Sequence, residues 1–488
     1  MKKLIAIATL LALVLSCTGC SEEQPTLENY YMNVAATVGE YQITSVEAGY
    51  FFVDVINKWY NQYGAQAEYY GLDINMDLNR QICDSKTNDT WAQYFLDMTL
   101  DNIEDSYVLY HAAKSAGYQL TEQEQSDVAM MYENFSSYAA DAGFSTVDAY
   151  LQSMYGEGAS ESTYKSYFET TLLARSYYSH YSSALLDSYT TEDLRAYEGD
   201  TPYDYDSFTY ANYYLPASLF DSQLALNTAA NQIASKENTT VEKLNKAISE
   251  ATKDKLKEGE TAVCAENKRV RYSQIEKELQ QWLLDDSRSP GDITAIPVYP
   301  DDSTMPTGYQ IVLFQNRSDN YITMVNTRHI LIPYEGGTTD SLTGETTYSD
   351  AKKTTAREQA EQLLEQWKQG ETNGETFGQL ADEHSADNAP GGLYEDIFPG
   401  EMFAEFDAWL FDENRSINDT AIISTDYGVH ITYFVGWSDW NYRDYMVAND
   451  KLNSELTEWE ESLHKGMALQ KKDTVRIDMT QSVKDILY

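Results

Sequence analysis

Cysteine is scarce in this chain: four residues in 488, two of them at positions 17 and 20 and the others, Cys83 and Cys264, far apart in sequence. A disulfide framework is excluded on that count. Basic side chains are also few, 34 against 78 acidic ones, for a formal net charge of −44. A field of that sign repels nucleic acid and anionic lipid surfaces alike, so neither is expected as an electrostatic partner. The six histidines (His111, His180, His329, His384, His430 and His464) show no metal-ligand spacing, which leaves no metal or other cofactor to expect. There is no phosphate-cradling glycine loop, no serine in a nucleophile elbow and no basic cluster suited to a phosphate. Beyond the first twenty residues no apolar run is long enough to cross a bilayer.

The first twenty residues are the exception to this polarity. Lys2 and Lys3 precede an apolar run from Leu4 to Leu15, interrupted only by Thr9 and followed by the small residues Ser16-Cys17-Thr18-Gly19-Cys20. The run is too short to span a membrane and reads as a signal peptide over residues 1–19. The small residues before Cys20 resemble a bacterial lipobox, which implies acylation of Cys20 in preference to Cys17, because Gly19 is the better small residue for cleavage. An ordinary secretory signal with incidental cysteines is the alternative. Residues 20–33 are polar and read as a tether.

From Val34 the chain becomes structured in rhythm. Val34–Val38, Gly39-Glu40 and Tyr41–Ile43 predict a strand, a turn and a strand, and Thr44 with Glu47 predicts a capping box opening a helix. Helix starts are predicted at Thr121 and Ser162, and Tyr164, Phe168 and Leu172 fall on one helical face. Forty tyrosines are too many to bury completely, so some exposed aromatic surface is expected, although core packing is the better reading of any single ring. Val38-Gly39-Glu40-Tyr41-Gln42-Ile43-Thr44 resembles the start of the helical chaperone region shared by PrsA-type and SurA-type foldases.

Between Tyr321 and Trp437 a series of short signals follows in order. Asn326–Ile332 reads as a strand containing His329, and Ala356, Ala360, Leu363, Leu364 and Trp367 form a helical stripe. Phe377-Gly378-Gln379-Leu380-Ala381 predicts a second helix. Ser385-Ala386-Asp387, the Gly391-Gly392 turn, Gly400-Glu401-Met402-Phe403-Ala404-Glu405-Phe406 and Gly428-Val429-His430-Ile431 complete the set. This order resembles the parvulin family of peptidyl-prolyl isomerases. The resemblance implies paired histidines at His329 and His430, a catalytic carboxylate at Asp387, and a proline pocket at Met402 and Phe406. Tyr394 stands where many parvulins have a pocket leucine, and Gly336–Thr347 is an insertion; both leave rate and preference open. Either the histidines order the pocket through hydrogen bonds or, as the alternative, one transfers a proton directly. His384 reads as an exposed loop residue.

The preceding segment echoes this one. Trp282–Asp292 resembles Trp409–Asp419, Gly308–Ile311 resembles Gly428–Ile431, and Asn212–Pro216 resembles His329–Pro333, so Asn212 and Gln310 stand in place of the two histidines. Residues 201–319 are therefore expected to be a catalytically silent parvulin-like domain. A tail predicted helical from Asn441 to Lys472 should pack back on the N-terminal helices, as the resemblance implies. The expected architecture is α+β: a helical chaperone domain (34–200, completed by 438–488) and two tandem parvulin-like domains, the first degenerate (201–319) and the second an isomerase (320–437). The resemblance implies an extracytoplasmic foldase, lipid-anchored on the cell membrane as in Gram-positive bacteria. Its partners would be unfolded exported proteins with X-Pro bonds, and it leaves room for a homodimer. The alternatives are a parvulin-fold holdase with negligible turnover and a lipoprotein that binds a small ligand or assembles envelope components.

Overall fold

The computed structural model describes residues 33–257, 259–300, 304–339, 346–472 and 481–487. The signal peptide, Cys20 and all of the tether but its last residue lie outside them. The chain is α+β, and it divides into two compact units: residues up to 187 together with those from 454, and Ser188–Asn453. No helix among the described residues is long and apolar enough to cross a membrane.

The first unit begins with the hairpin Val34–Val38 and Tyr41–Thr44, turned at Gly39 in the left-handed region (φ +55°). Thr44 caps the helix Ser45–Tyr63 by accepting the Glu47 amide at 3.2 Å. The capping box is only half made, because the Glu47 carboxylate accepts the Tyr107 hydroxyl instead. Thr121 forms the full reciprocal box with Glu124 at the head of Glu122–Asp141. The helix Glu161–Asp187 starts one residue before Ser162, which lies in its first turn. Tyr164 and Phe168 pack on a buried cluster of Tyr50, Phe51, Tyr107 and Tyr167, and Leu172 is buried on the same face. Tyr50 meets Tyr155 and Tyr164 edge to face, as Phe51 meets Tyr167, an arrangement that aromatic quadrupoles favour. Tyr69, Tyr70, Tyr94 and Tyr138 remain exposed.

The tail departs from the all-helical expectation. Its helix, Tyr442–His464, stops before Gly466 (φ +88°), and Leu469–Lys471 becomes a strand antiparallel to Val34–Val38, with Lys471 opposite Ala36. The boundary between units falls inside this helix, at 453/454, and the other falls at 187/188 rather than at 200. The helix Thr191–Glu198 belongs to the second unit because Glu198 is gripped by Arg443.

The second unit contains two four-stranded antiparallel sheets of the same strand order. One runs Ala265–Arg271, Ser207–Pro216, Gly308–Ser318, Ile293–Val298; the other runs Leu393–Ile397, Thr323–Pro333, Gly428–Asn441, Thr420–Ser424. The registers also correspond: Asn212 faces Val312 and Gln310 faces Tyr214, as His329 faces Thr432 and His430 faces Leu331. In each, the edge strand carries a bulge with a non-glycine residue at positive φ, Arg269 (+50°) and Asp396 (+55°). Arg288 lies over Trp282 at 4.4 Å, and Arg415 over Trp409 at 4.3 Å. The two ends of the insertion after Pro333 form a small ribbon, Thr338–Thr339 with Thr346–Thr347; residues 340–345 lie outside the described set.

Strand alternation assigns the faces of the second sheet. Ile330, Val429, Ile431 and Tyr433 face the helices Asp350–Lys368 and Gly374–His384, together with Ala356, Ala360, Trp367 and Phe377. Val325 and Phe434 face the short helix Ala404–Leu410, with Phe406 and Leu410. His329 and His430 stand an even number of residues from Val325 and Phe434, so they emerge on the side of Phe406.

Candidate functional site

The two histidines meet on that face. Their Nδ1 atoms are 3.0 Å apart and both rings are buried, nearly parallel at 18°. His329 Nε2 lies 3.1 Å from Asp387 Oδ2 but off the line of a well-formed hydrogen bond. Tyr394 donates its hydroxyl to the same Asp387 oxygen at 2.9 Å, and His430 Nε2 is 2.9 Å from Thr425 Oγ1.

Charge decides the direction of this chain. Burial works against the Asp387 carboxylate, but the Tyr394 hydroxyl, His329 and the Ala389 amide together hold its pKa below the ordinary value, so it is ionised at neutral pH. An ionised carboxylate facing His329 Nε2 favours the tautomer with the proton there. His329 Nδ1 is then bare and accepts from His430 Nδ1–H, which leaves His430 Nε2 to accept from the Thr425 hydroxyl. Burial depresses both imidazole pKa values; for His430, with His329 adding to the effect, the value falls to about 4. Both rings are neutral at pH 7. Burial, with Asp387 second, pushes the Tyr394 phenol up to about 12.

Local backbone chemistry holds these groups in place. Ser385 Oγ accepts the amides of Leu331 and Asp387, both at 3.1 Å, and the Ala386 amide donates to the Leu331 carbonyl at 3.0 Å. The loop bearing Asp387 is thus tied to the strand bearing His329. Gly392 sits at φ +59° against the His329 carbonyl, where a Cβ would clash with backbone, so the Gly-Gly turn is required by the close approach of these segments.

All the residues predicted for the site come together, with one difference in role. Phe406 is fully buried and stands nearly perpendicular to both imidazoles, at 5.7 and 4.9 Å, so it packs directly against them. Met402 and Tyr394 pack on the same apolar cluster and are half-buried, and the Tyr394 ring also leans on His329 at 5.0 Å. Sequence reasoning missed Thr425, Ser385 as an anchor, and the exposed pair Phe403 and Tyr427, whose rings are 5.3 Å apart at the mouth of the site. Thr425 could have been found five residues before His430, across the turn entering that strand. His384 is exposed as expected, but it closes the helix Gly374–His384 instead of lying in a loop.

The corresponding place in the first sheet is filled by amides. Asn212 Nδ2 donates to Gln310 Oε1 at 3.3 Å, Asn267 Nδ2 donates to Asn212 Oδ1 at 2.8 Å, and Gln310 Nε2 donates to Glu276 Oε2 at 2.9 Å. Among the described residues of the chain, no group of three or more His, Cys, Asp or Glu side chains could hold a metal ion.

Residues 309–435, about a quarter of the chain, match the PPIC-type PPIASE domain family. The match takes in the second sheet and the helices packed on it. The match opens within Gly308–Ser318, a strand of the first sheet. No curated protein matches the chain. Among solved structures it is similar to the PPIase domain of TBPAR42 (21% identity, 23% of this chain and 98% of that one, TM-score 0.18). It is also similar to the peptidylprolyl isomerase PrsA of Bacillus anthracis (12%, 76% and 95%, 0.18) and to a structure of the SurA-like chaperones PEB4 and Cj1289 of Campylobacter jejuni (15%, 44% and 78%, 0.19).

Proposed function

We propose that the chain is an extracytoplasmic foldase that isomerises X-Pro bonds and holds unfolded exported proteins. The observation that carries this reading is the neutral His329–His430 pair beside Asp387, packed against Phe406 within a domain matching the PPIC-type family. An X-Pro bond turns slowly because its amide has partial double-bond character, with a barrier of about 20 kcal/mol. Lowering it takes no nucleophile. The site has to bind the twisted, less conjugated amide better than either planar isomer. Met402, with Tyr394 and Phe403 around it, would receive the prolyl ring, and His329, Asp387 and His430 would fix the polar wall beside the amide. Rings that are already neutral and mutually hydrogen-bonded suit an ordering role better than proton transfer.

The first unit supplies the holding surface in this proposal. A cavity of about 510 Å³ there is lined in part by Tyr50, Tyr155, Tyr164, Tyr167 and Phe168, and aromatic walls tolerate many sequences. The Asn212–Gln310 domain, 201–319, is read as a degenerate repeat without turnover, because Glu276 and Asn267 already engage its amides. Proline-limited refolding of a model substrate tests the isomerase half. The chain is expected to accelerate it, and Met402→Ala to raise KM for a proline tetrapeptide at least as much as it lowers kcat. Suppressed aggregation without acceleration would leave only a holdase. Acylation at Cys20 is proposed as the anchor to the outer face of the membrane. Cys20→Ala should appear in the medium or stay unprocessed, and unchanged membrane retention of that variant would sink the anchor.

A further inference from the structure

The two repeats share a bulge but not the side chain on it. Arg269, at the first bulge, holds φ +50°, a region costly for any residue with a Cβ, and its amide is secured by Thr209 Oγ1 at 3.2 Å. The equivalent bulge residue, Asp396, is bonded within its own repeat, to Ser438 and, through its amide, to Asn326. Arg269 instead leaves its repeat. Its Nη2 donates to Asn320 Oδ1 at 3.0 Å in the junction between the sheets, and its Cδ packs against Gly400, where an added Cβ would come within 3.1 Å. Its guanidinium is 5.8 Å from the Tyr442 ring, which stacks on Phe398.

Gly400 opens the turn that carries the pocket. Its amide donates to Asp407 Oδ2 at 2.5 Å, closing a loop over residues 400–407 that includes Met402, Phe403 and Phe406. Arg269 Nε and Asp407 Oδ1 are both buried, and neither has a hydrogen-bond partner. Their charges therefore answer each other through space. Burial pushes the Asp407 pKa up; the Gly400 amide, and after it Arg269, oppose that shift, while burial lowers the pKa of Arg269 itself.

We propose that Arg269 is a positioning residue for the proline pocket: the silent repeat lends a half-buried cation that helps keep Asp407 charged and so fixes the turn bearing Met402, Phe403 and Phe406. This rests on the isomerase reading above. It gives the first repeat a task that needs no turnover of its own.

The test uses the full chain, with Arg269→Ala, Asp407→Asn and the double variant. Amide hydrogen exchange over residues 398–411 and tetrapeptide kinetics are read on each. Arg269→Ala leaves a half-buried carboxylate without its cation, so exchange at Gly400 should quicken and KM should rise, each by roughly tenfold, with kcat less affected. Asp407→Asn keeps an oxygen for the Gly400 amide and removes the stranded charge, so the double variant should recover most of both losses. A merely structural loss would not be rescued by a second substitution. Native exchange at Gly400 in Arg269→Ala, or a double variant no better than the single one, overturns the proposal. A wild-type chain without turnover would count against the isomerase reading instead, and the exchange arm would still decide whether Arg269 holds the turn.

Discussion

Acidifying the chain from pH 7 to pH 4 is expected to weaken the second sheet, and His430→Gln is expected to remove most of that sensitivity. In the unfolded chain a histidine takes its proton near pH 6.5. Buried beside His329, His430 resists protonation until about pH 4, and the His329 pKa is lowered as well. Between those values the unfolded state binds more protons than the native one, so stability is present above the window and is lost as pH falls through it. For His430 alone the loss amounts to on the order of 3 kcal/mol by pH 4. Asp387 acts in the same direction but lower, because its depressed pKa sustains the native state until pH falls below the ordinary carboxylate range. Glutamine does not titrate, and Gln310 occupies the corresponding register position in the first sheet, bonded to Asn212. His430→Ala should differ from His430→Gln: it leaves Thr425 and His329 without their partner at every pH, a cost of about 1–3 kcal/mol. Amide exchange along Gly428–Asn441, measured from pH 7 down to 4.5 and corrected for intrinsic rates, reads the slope locally. A flat wild-type profile, or an equal slope in His430→Gln, would contradict the assignment of two neutral imidazoles.

The parts of this site that were legible in the sequence are those fixed by short-range rules. Alternation along Asn326–Ile332 and Gly428–Ile431 places His329 and His430 on one face once the two strands pair. The Gly391–Gly392 turn announces a close backbone approach, which the His329 carbonyl supplies. The echo of Trp282–Asp292 in Trp409–Asp419 was visible because one compact turn, an arginine over a tryptophan held by nearby carboxylates, needs those residues at those spacings. What escaped depends on partners distant in sequence. Glu47 reads as half of a capping box until Tyr107 competes for its carboxylate. Leu469–Lys471 continues a helical pattern until the open edge of Val34–Val38 offers it a ladder of hydrogen bonds. The full burial of Phe406 against the two imidazoles depends on strands far from it in sequence. Arg269 and Arg443 carry no local signal, since an arginine in a polar stretch is read as a solvated one.

Arg443 leads to the largest stability effect expected from a single substitution. It is 3% exposed and binds Glu198 Oε1 through Nε at 2.7 Å, Asp206 Oδ1 through Nη1 at 2.8 Å, the Asp319 carbonyl at 2.9 Å and the Pro202 carbonyl through Nη2. Arg195 shares Glu198 and also meets Asp444, and Arg317 shares Asp206. Three arginines thus meet three carboxylates within the junction, with a fourth, the exposed Asp286, on the outer side of Arg317, and the cluster ties the segment before the first sheet to the junction between sheets and to the head of the helix Tyr442–His464. Arg443→Met keeps the length of the side chain but leaves one carboxylate charge in excess among buried groups. Breaking a buried pair in this way costs about 3–5 kcal/mol, and Arg195 and Arg317, still in contact with the two acids, hold the loss toward the lower figure. Arg443→Lys restores the charge without the planar fork. One ammonium cannot reach two carboxylates and two carbonyls lying in different directions, so recovery should be well under half. Urea unfolding of the full chain, followed by exchange in both Ser207–Pro216 and Thr323–Pro333, should show the two sheets losing protection together in Arg443→Met. A loss below about 1 kcal/mol, the scale of a surface ion pair, or a lysine variant equal to wild type, would mean that the cluster decorates the junction without holding it.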